Sequence, residues 1–216
     1  MAITRLGPNN STNITGINLT SQVTGTLPAA NGGTGATSFN AASLVKLSST
    51  TVSSNVDAID FDGLFSATYD KYLVSGVGLK ISASNYVFYQ HMQGGSQVTS
   101  SNYKSAAQVY DSATNTNNDA GNTRAYCAMM GVSQFGNNAA YSYHFNIFIN
   151  NPLSTSAYCS SYGQSAIYTS SDNMQLANFS NMLTANLGTA TSGIRLQPYN
   201  AQFTSGKAIL YGLTQW

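Results

Sequence analysis

Three aspartates stand close together in "VDAIDFDGLF": Asp57, Asp60 and Asp62, with Gly63 behind them. Carboxylates grouped in this way suit a hard cation. An EF-hand, however, draws its oxygens from alternate loop positions and closes with a distal Glu. Here the spacings are three and two, and the chain has no Glu. The reading is a turn after a strand, with a non-EF calcium site as the alternative. The histidines are His91 and His144, too few for a multi-histidine metal site within one chain. One histidine per copy on a threefold axis would make such a site, with a satisfied or solvated strand histidine as the plainer reading.

Covalent chemistry fares no better. A Ser–His–Asp triad needs a histidine beside a particular serine, and no G-x-S-x-G elbow exists to single one out. Glycoside hydrolysis needs two carboxylates flanking a bond, and the aspartate pairs at 57–62 are too local to do so. "NGGTG" lacks the G-K-[ST] ending of a phosphate loop. No catalytic residue, metal ligand or cofactor site is expected, and the chain does not read as an enzyme. Cys127 and Cys159 sit in "AYCAMM" and "AYCSSY", surroundings that suit buried free thiols; one disulfide is the alternative.

Composition narrows the function classes. Charged residues are 7% of the 216, against roughly 25% in ordinary soluble domains. The net charge of +1 offers no field for nucleic acid or an anionic membrane. No apolar run reaches the ~18 residues of a membrane span, and the start "MAITRLGPNNSTN" does not fit a signal peptide. The expectation is a protein assembled in a cytoplasm, neither inserted in a membrane nor exported by a standard route.

Charge also divides the chain. Between Leu6 and Val45 there is no Asp, Glu, Lys or Arg, which puts a boundary near residues 40–45. Before it, Ile14, Ile17, Leu19, Val23 and Leu27 occur singly among Thr and Gly, with neither a strand period nor a heptad. Such a segment cannot build a core alone. It is a disordered tail, or it is ordered by winding with copies of itself.

After the boundary the pattern is β. "YSYHFNIFIN" puts Tyr141, Tyr143, Phe145, Ile147 and Ile149 on one face and Ser142, His144, Asn146 and Phe148 on the other. Similar strands are expected at 71–82, 85–93, 103–110, 124–130, 155–169, 193–200 and 207–213, separated by turn clusters such as "QGGSQ", "DSATNTNNDAGN" and "TSGKA". "SDNMQLANFSNMLT" (171–184) admits a helix capped by Asp172, while its Asn and Ser favour strand or loop. The expected fold is all-β, an antiparallel sandwich over 46–216.

Three stretches carry a resemblance. "LPAANGGTGAT" (27–37) resembles the neck signature of bacteriophage tail-fibre and related virion-fibre proteins. "VDAIDFDGLFSATYDKYLVSG" (56–76) is similar to the opening of their distal β module, and "SGKAILYGLTQW" to their C-termini. The resemblance implies a homotrimer with a jelly-roll-like head and an extended β stalk. Residues 1–20 would anchor it to other virion proteins, 21–45 would form the trimeric stalk and neck, and 46–216 the head. Ile14, Ile17, Leu19, Val23 and Leu27 would meet across the axis, with Gly32, Gly33 and Gly35 letting the chains part. It also implies location in the virion and attachment to a host-surface glycan or protein. A capsid head fibre of the same plan, and a secreted carbohydrate-binding or adhesin module, are the alternatives.

Recognition is expected in loops, where sandwiches usually carry it. The longest polar candidate, "DSATNTNNDAGNTR" (111–124), offers Asn115, Asn117, Asn118, Asp119 and Arg124. "SQFGNNAAY" (133–141) adds Phe135, Asn137 and Asn138.

Overall fold

A computed structural model describes residues 44–113, 115–129 and 135–213; the side chains of 115–119 and 122 also lie outside the description. The chain divides into two compact units, Met1–Asn40 and Ala41–Trp216. The residues assigned to stalk and neck, Ile14, Ile17, Leu19, Val23, Leu27, Gly32, Gly33 and Gly35, lie outside the described residues.

The second unit is all-β, with no helix among the described residues. Its strands are β1 (Leu44–Val52), β2 (Ile59–Phe61), β3 (Lys71–Ile81), β4 (Val87–Gln93), β5 (Ser96–Gln97), β6 (Tyr103–Asp111), β7 (Asn115–Arg124), β8 (Cys127–Ala128), β9 (Tyr143–Asn150), β10 (Cys159–Tyr168), β11 (Met174–Leu183), β12 (Gly193–Pro198) and β13 (Phe203–Leu213). They form two antiparallel sheets. The larger runs β1-β13-β3-β9-β10-β11-β6-β7; the smaller runs β2-β12-β4-β5, with β8 also on β4.

Alternation explains the large sheet. Along β9, Tyr143, Phe145, Ile147 and Ile149 are buried while His144 and Asn146 are exposed. β6 and β11 alternate in the same way. A strand with one apolar face must lay that face on another layer. The smaller sheet supplies Ile59, Phe61, Val87, Tyr89, Ile194 and Leu196 to the same continuous core. β4 departs from alternation: Val87 through Met92 are all buried. Its second face is covered partly by Tyr126, whose ring lies 4.8 Å from Phe88, and by the Ala125 carbonyl, which accepts from Gln90 Nε2 at 2.7 Å.

Polar pairs stitch the layers together. Tyr89 on the small sheet meets the Ser161 hydroxyl on the large one, and Asn181 Nδ2 donates to Tyr89 Oη at 3.2 Å. Outside the core, Arg195 holds Asp60 with two parallel bonds of 2.7 and 2.8 Å.

Several local expectations need correcting. Residues 115–124 form edge strand β7, paired with β6 from Asp111↔Asn115 to Tyr103↔Arg124, and not a long loop. An edge strand has one neighbour and takes polar residues readily, so its composition hides its ladder. In "RAYCAMM", among the described residues, Arg124 ends β7 and the two residues Cys127–Ala128 form β8. "TSGKA" lies inside β13, where Gly206 adopts φ +103 at a bulge. A Cβ there would meet the Gly78 carbonyl at 2.5 Å. The 171–184 stretch is a tight turn and strand β11.

Candidate functional site

Strand register sorts the connections onto two ends. Leu44 pairs with Leu213, which pairs with Lys71, and Lys71 with Asn150. The chain therefore enters the sandwich at the end where β3 and β1 begin and β9 and β13 finish. At the other end lie residues 82–86, 135–142, 169–173 and 199–202. The ten residues of β10 separate the two ends by about 30 Å at ~3.3 Å per residue.

Two depressions open at this far end. One, of about 500 Å³, is bordered by Asp57, Gln197, Asn200 and Gln202. Its carboxylate is already engaged, because Gln202 Nε2 donates to Asp57 Oδ1 at 2.9 Å. The second, of about 340 Å³, is bordered by Ser84, Asn137, Asn138, Tyr141, Ser170 and Asp172, with Gly136 at its base.

The second site is held by the core. Phe135 is fully buried, and its backbone exchanges two hydrogen bonds with Asn85, of 3.0 and 3.1 Å. Gly136 N then donates to the Tyr168 carbonyl at 2.8 Å. This pins the segment between the start of β4 and the end of β10 and delivers Asn137 and Asn138 to the rim. Only glycine fits at 136: a Cβ would meet the Tyr141 ring at 2.6 Å and the Thr169 carbonyl at 2.7 Å. Across the opening, Thr169 Oγ1 accepts from the Ser171 and Asn173 amides, both at 3.2 Å. That turn places Asp172 at φ +63, a conformation Asp and Asn tolerate better than most residues.

The polar inventory is asymmetric. Asn137 is committed: Oδ1 accepts from Ser84 Oγ at 2.9 Å and Nδ2 donates to the Ser82 carbonyl at 3.4 Å. Asn138 Oδ1 accepts from the Ala140 amide at 3.0 Å; the side chain is exposed, and its Nδ2 has no hydrogen-bond partner among the described residues. Asp172 is exposed, and its carboxylate has no hydrogen-bond partner among the described residues. Tyr141 stacks on Tyr168, with centroids 5.3 Å apart and planes 17° apart. Tyr168 continues the site onto the outer face of the large sheet, where Met174 opposes it and Leu176 and Tyr110 form the next exposed cross-strand pair.

The expected recognition residues thus divide. Asn137 and Asn138 lie together at this site. Phe135 does not: it is a core ring 5.6 Å from Tyr143, and its alternation with Gly136 turns it inward. Asn115, Asn117, Asn118 and Asp119 belong to the β7 ladder, and their side chains lie outside the description. Arg124 pairs with Tyr103 at the ladder's end nearest the chain entry. Sequence reasoning passed over Asp172 and Ser170 as site residues and included Tyr141 only as the end of the stretch "SQFGNNAAY". The one available signal was the "SSDN" turn, shared with the helix alternative.

The other chemistry-bearing groups are dispersed. Asp57, Asp60 and Asp62 engage Gln202, Arg195 and Ser192 respectively. Among the described residues no group of three or more His, Cys, Asp or Glu is placed to hold a metal. His144 is exposed, with Nε2 2.9 Å from Ser142 Oγ. His91 is fully buried, and removal from water lowers its pKa to about 4. Burial pushes the Cys159 thiol up to about 12 and raises Cys127 as well; both are free thiols. Neither thiol has the depressed pKa of an activated nucleophile.

The fold and this end together define a β-sandwich protein with a preformed polar and aromatic depression. No family model matches the chain, and no curated protein or solved structure is significantly similar to it.

Proposed function

We propose that this chain is a subunit of a bacteriophage virion fibre, a tail fibre, that attaches the particle to its host. In this reading the sandwich from Leu44 onward is a jelly-roll-like head, the segment before it, from residue 21, winds three copies together, and residues 1–20 bind other virion proteins. The mechanism is avidity. Several weak surface contacts, linked through one fibre and then through several fibres, combine by effective concentration.

One observation carries the reading. The neck-like "LPAANGGTGAT" runs directly into a sandwich entered at Leu44, and the polar, aromatic depression lies at the opposite end. A fibre head needs this polarity, with tether at one end and recognition at the other. The low charge of the chain fits an assembly held by neutral contacts.

Two measurements test it. Light scattering of the full chain should give three times 22.8 kDa, and gold-labelled antibody should decorate tail tips of whole particles. A monomer, or particles without label, would refute the proposal.

A further inference from the structure

The depression at Asp172 has the chemistry of a small sugar site. We infer that it binds one neutral saccharide unit, with hydroxyls on Asp172 and Asn138 and an apolar ring face on Tyr168. This deepens the attachment reading and rests on it for the source of the sugar, a host-surface glycan.

Four observations combine. First, an Asp carboxylate with no partner among the described residues faces a depression of about 340 Å³, the lower end of small-ligand pocket sizes. An ionised carboxylate accepts several hydrogen bonds and donates none, so its partner must bring donors. Second, donors line the other rim. Asn138 Oδ1 accepts from Ala140 N, its Nδ2 has no hydrogen-bond partner among the described residues, and Ser170 also borders the depression. Adjacent hydroxyls, each donor and acceptor at once, satisfy this arrangement with one group on each rim.

Third, Tyr168 is 41% exposed and is held from behind by Tyr141, so one face stays open to solvent. Pyranose rings present apolar C–H groups on one face and hydroxyls around the edge. A platform beside a polar notch matches both surfaces. Fourth, the site is already set before any ligand arrives. Gly136 is packed against Tyr141, Asn137 is tied to Ser82 and Ser84, and the Asp172 turn is tied to Thr169. Little ordering entropy remains to oppose binding.

An anionic ligand is disfavoured. Among the described residues, the one charged side chain that borders the depression is Asp172, and the nearby Lys80 directs its ammonium to the Ala139 carbonyl.

Saturation-transfer difference NMR tests this on the full chain with glucose, galactose and N-acetylglucosamine as probes. Saturation should reach the ring protons of at least one sugar. Asp172→Asn should weaken that sugar about tenfold or more, the scale of one lost charge-assisted bond. Asn also tolerates the φ of this position, so the turn survives the change. Tyr168→Ala, on an exposed strand position, should weaken it independently. Silence with all three sugars overturns the assignment, as does binding that neither substitution alters. A trimeric, virion-borne chain that ignores these sugars overturns the pocket assignment alone. A monomer absent from particles that still binds through Asp172 overturns the fibre reading alone.

Discussion

The Sγ atom of Cys159 lies 3.9 Å from Nδ1 of His91, and both side chains are closed to water. Nε2 of His91 has no hydrogen-bond partner among the described residues. The rings of Tyr89 and Tyr103 flank the imidazole at 5.8 and 6.1 Å, and neither offers a charge to a protonated ring.

This environment makes folding sensitive to acid. Desolvation lowers the His91 pKa from its ordinary 6.5 to about 4. Between those values the unfolded chain binds a proton that the folded chain refuses, so stability falls as pH falls. It is fully present above 6.5 and stops falling below about 4. The loss amounts to about 3 kcal/mol. Urea unfolding at steps from pH 7 to 4 should show this slope. His91→Gln should flatten it, whereas His144→Gln, on the exposed face, should leave it intact. An unchanged slope in His91→Gln contradicts the assignment.

Two buried tyrosines should respond oppositely to loss of the hydroxyl. Tyr103 Oη accepts from the His91 amide at 2.9 Å and donates to the Val98 carbonyl at 3.0 Å. Tyr103→Phe strands both groups and should cost about 1–3 kcal/mol. Tyr143 Oη has no hydrogen-bond partner among the described residues, and Ser165, whose hydroxyl bears on it, donates instead to the Met129 carbonyl. Tyr143→Phe should be neutral or stabilising. Paired denaturation curves decide the matter; equal losses at both sites would contradict it.

The thiols should be silent while the protein is folded. Cys127 and Cys159 are inaccessible and their pKa values are raised, so little thiolate exists at neutral pH. A chromogenic disulfide reagent should label neither in native buffer and both in guanidinium. Rapid native labelling of either would show that the core opens locally.

What could be read from the chain followed the strength of alternation. β3, β6, β9 and β10 announced themselves because apolar and aromatic residues recur in them at a period of two, and burial alternates along each with few exceptions. β7 carried no such mark. Its residues Asn115 to Arg124 are strand because β6 offers an unpaired edge, a tertiary cause invisible to local composition. The site was half legible. Asn137 and Asn138 stood out as a polar turn, yet Phe135 beside them belongs to the core, since one residue of extended backbone reverses a side chain. Asp172 could not be joined to them from sequence. Their meeting depends on the bridge from Phe135 to Thr169 across the end of β10.

Backbone geometry at the bulge of β13 gives a further test. Gly206 has φ +103, and a Cβ would meet the Gly78 carbonyl and Leu79 Cα at 2.5 Å. Gly206→Ala thus combines dihedral strain with a backbone clash and should cost more than about 3 kcal/mol. Gly63 shares a positive φ, +68, but nothing lies within 4 Å of the position its Cβ would take. Gly63→Ala should cost only about 1 kcal/mol. Comparable losses at the two sites would mean that dihedral strain, and not the approach of β3 to β13, limits this region.

The unit boundary predicts where the chain can be cut. Contacts cluster separately before and after Asn40, and the first described strand pairs Leu44 with Leu213. Removing residues 1–40 should therefore leave a β-rich circular dichroism spectrum and one cooperative unfolding transition, because the buried core residues among those described run from Val52 to Leu210, with Leu47 packed against them. Removing residues 1–52 should not be tolerated. It deletes β1, strips the paired edge from β13 between Gly206 and Leu213, and takes Val52 out of the core. An exposed edge of that length is also a template for aggregation. The expected pair of results is a soluble, cooperative domain from the first truncation and a broadened transition or precipitation from the second. If the shorter truncation is itself molten, residues 1–40 contribute to the sandwich directly and the division of the chain at Asn40 is wrong.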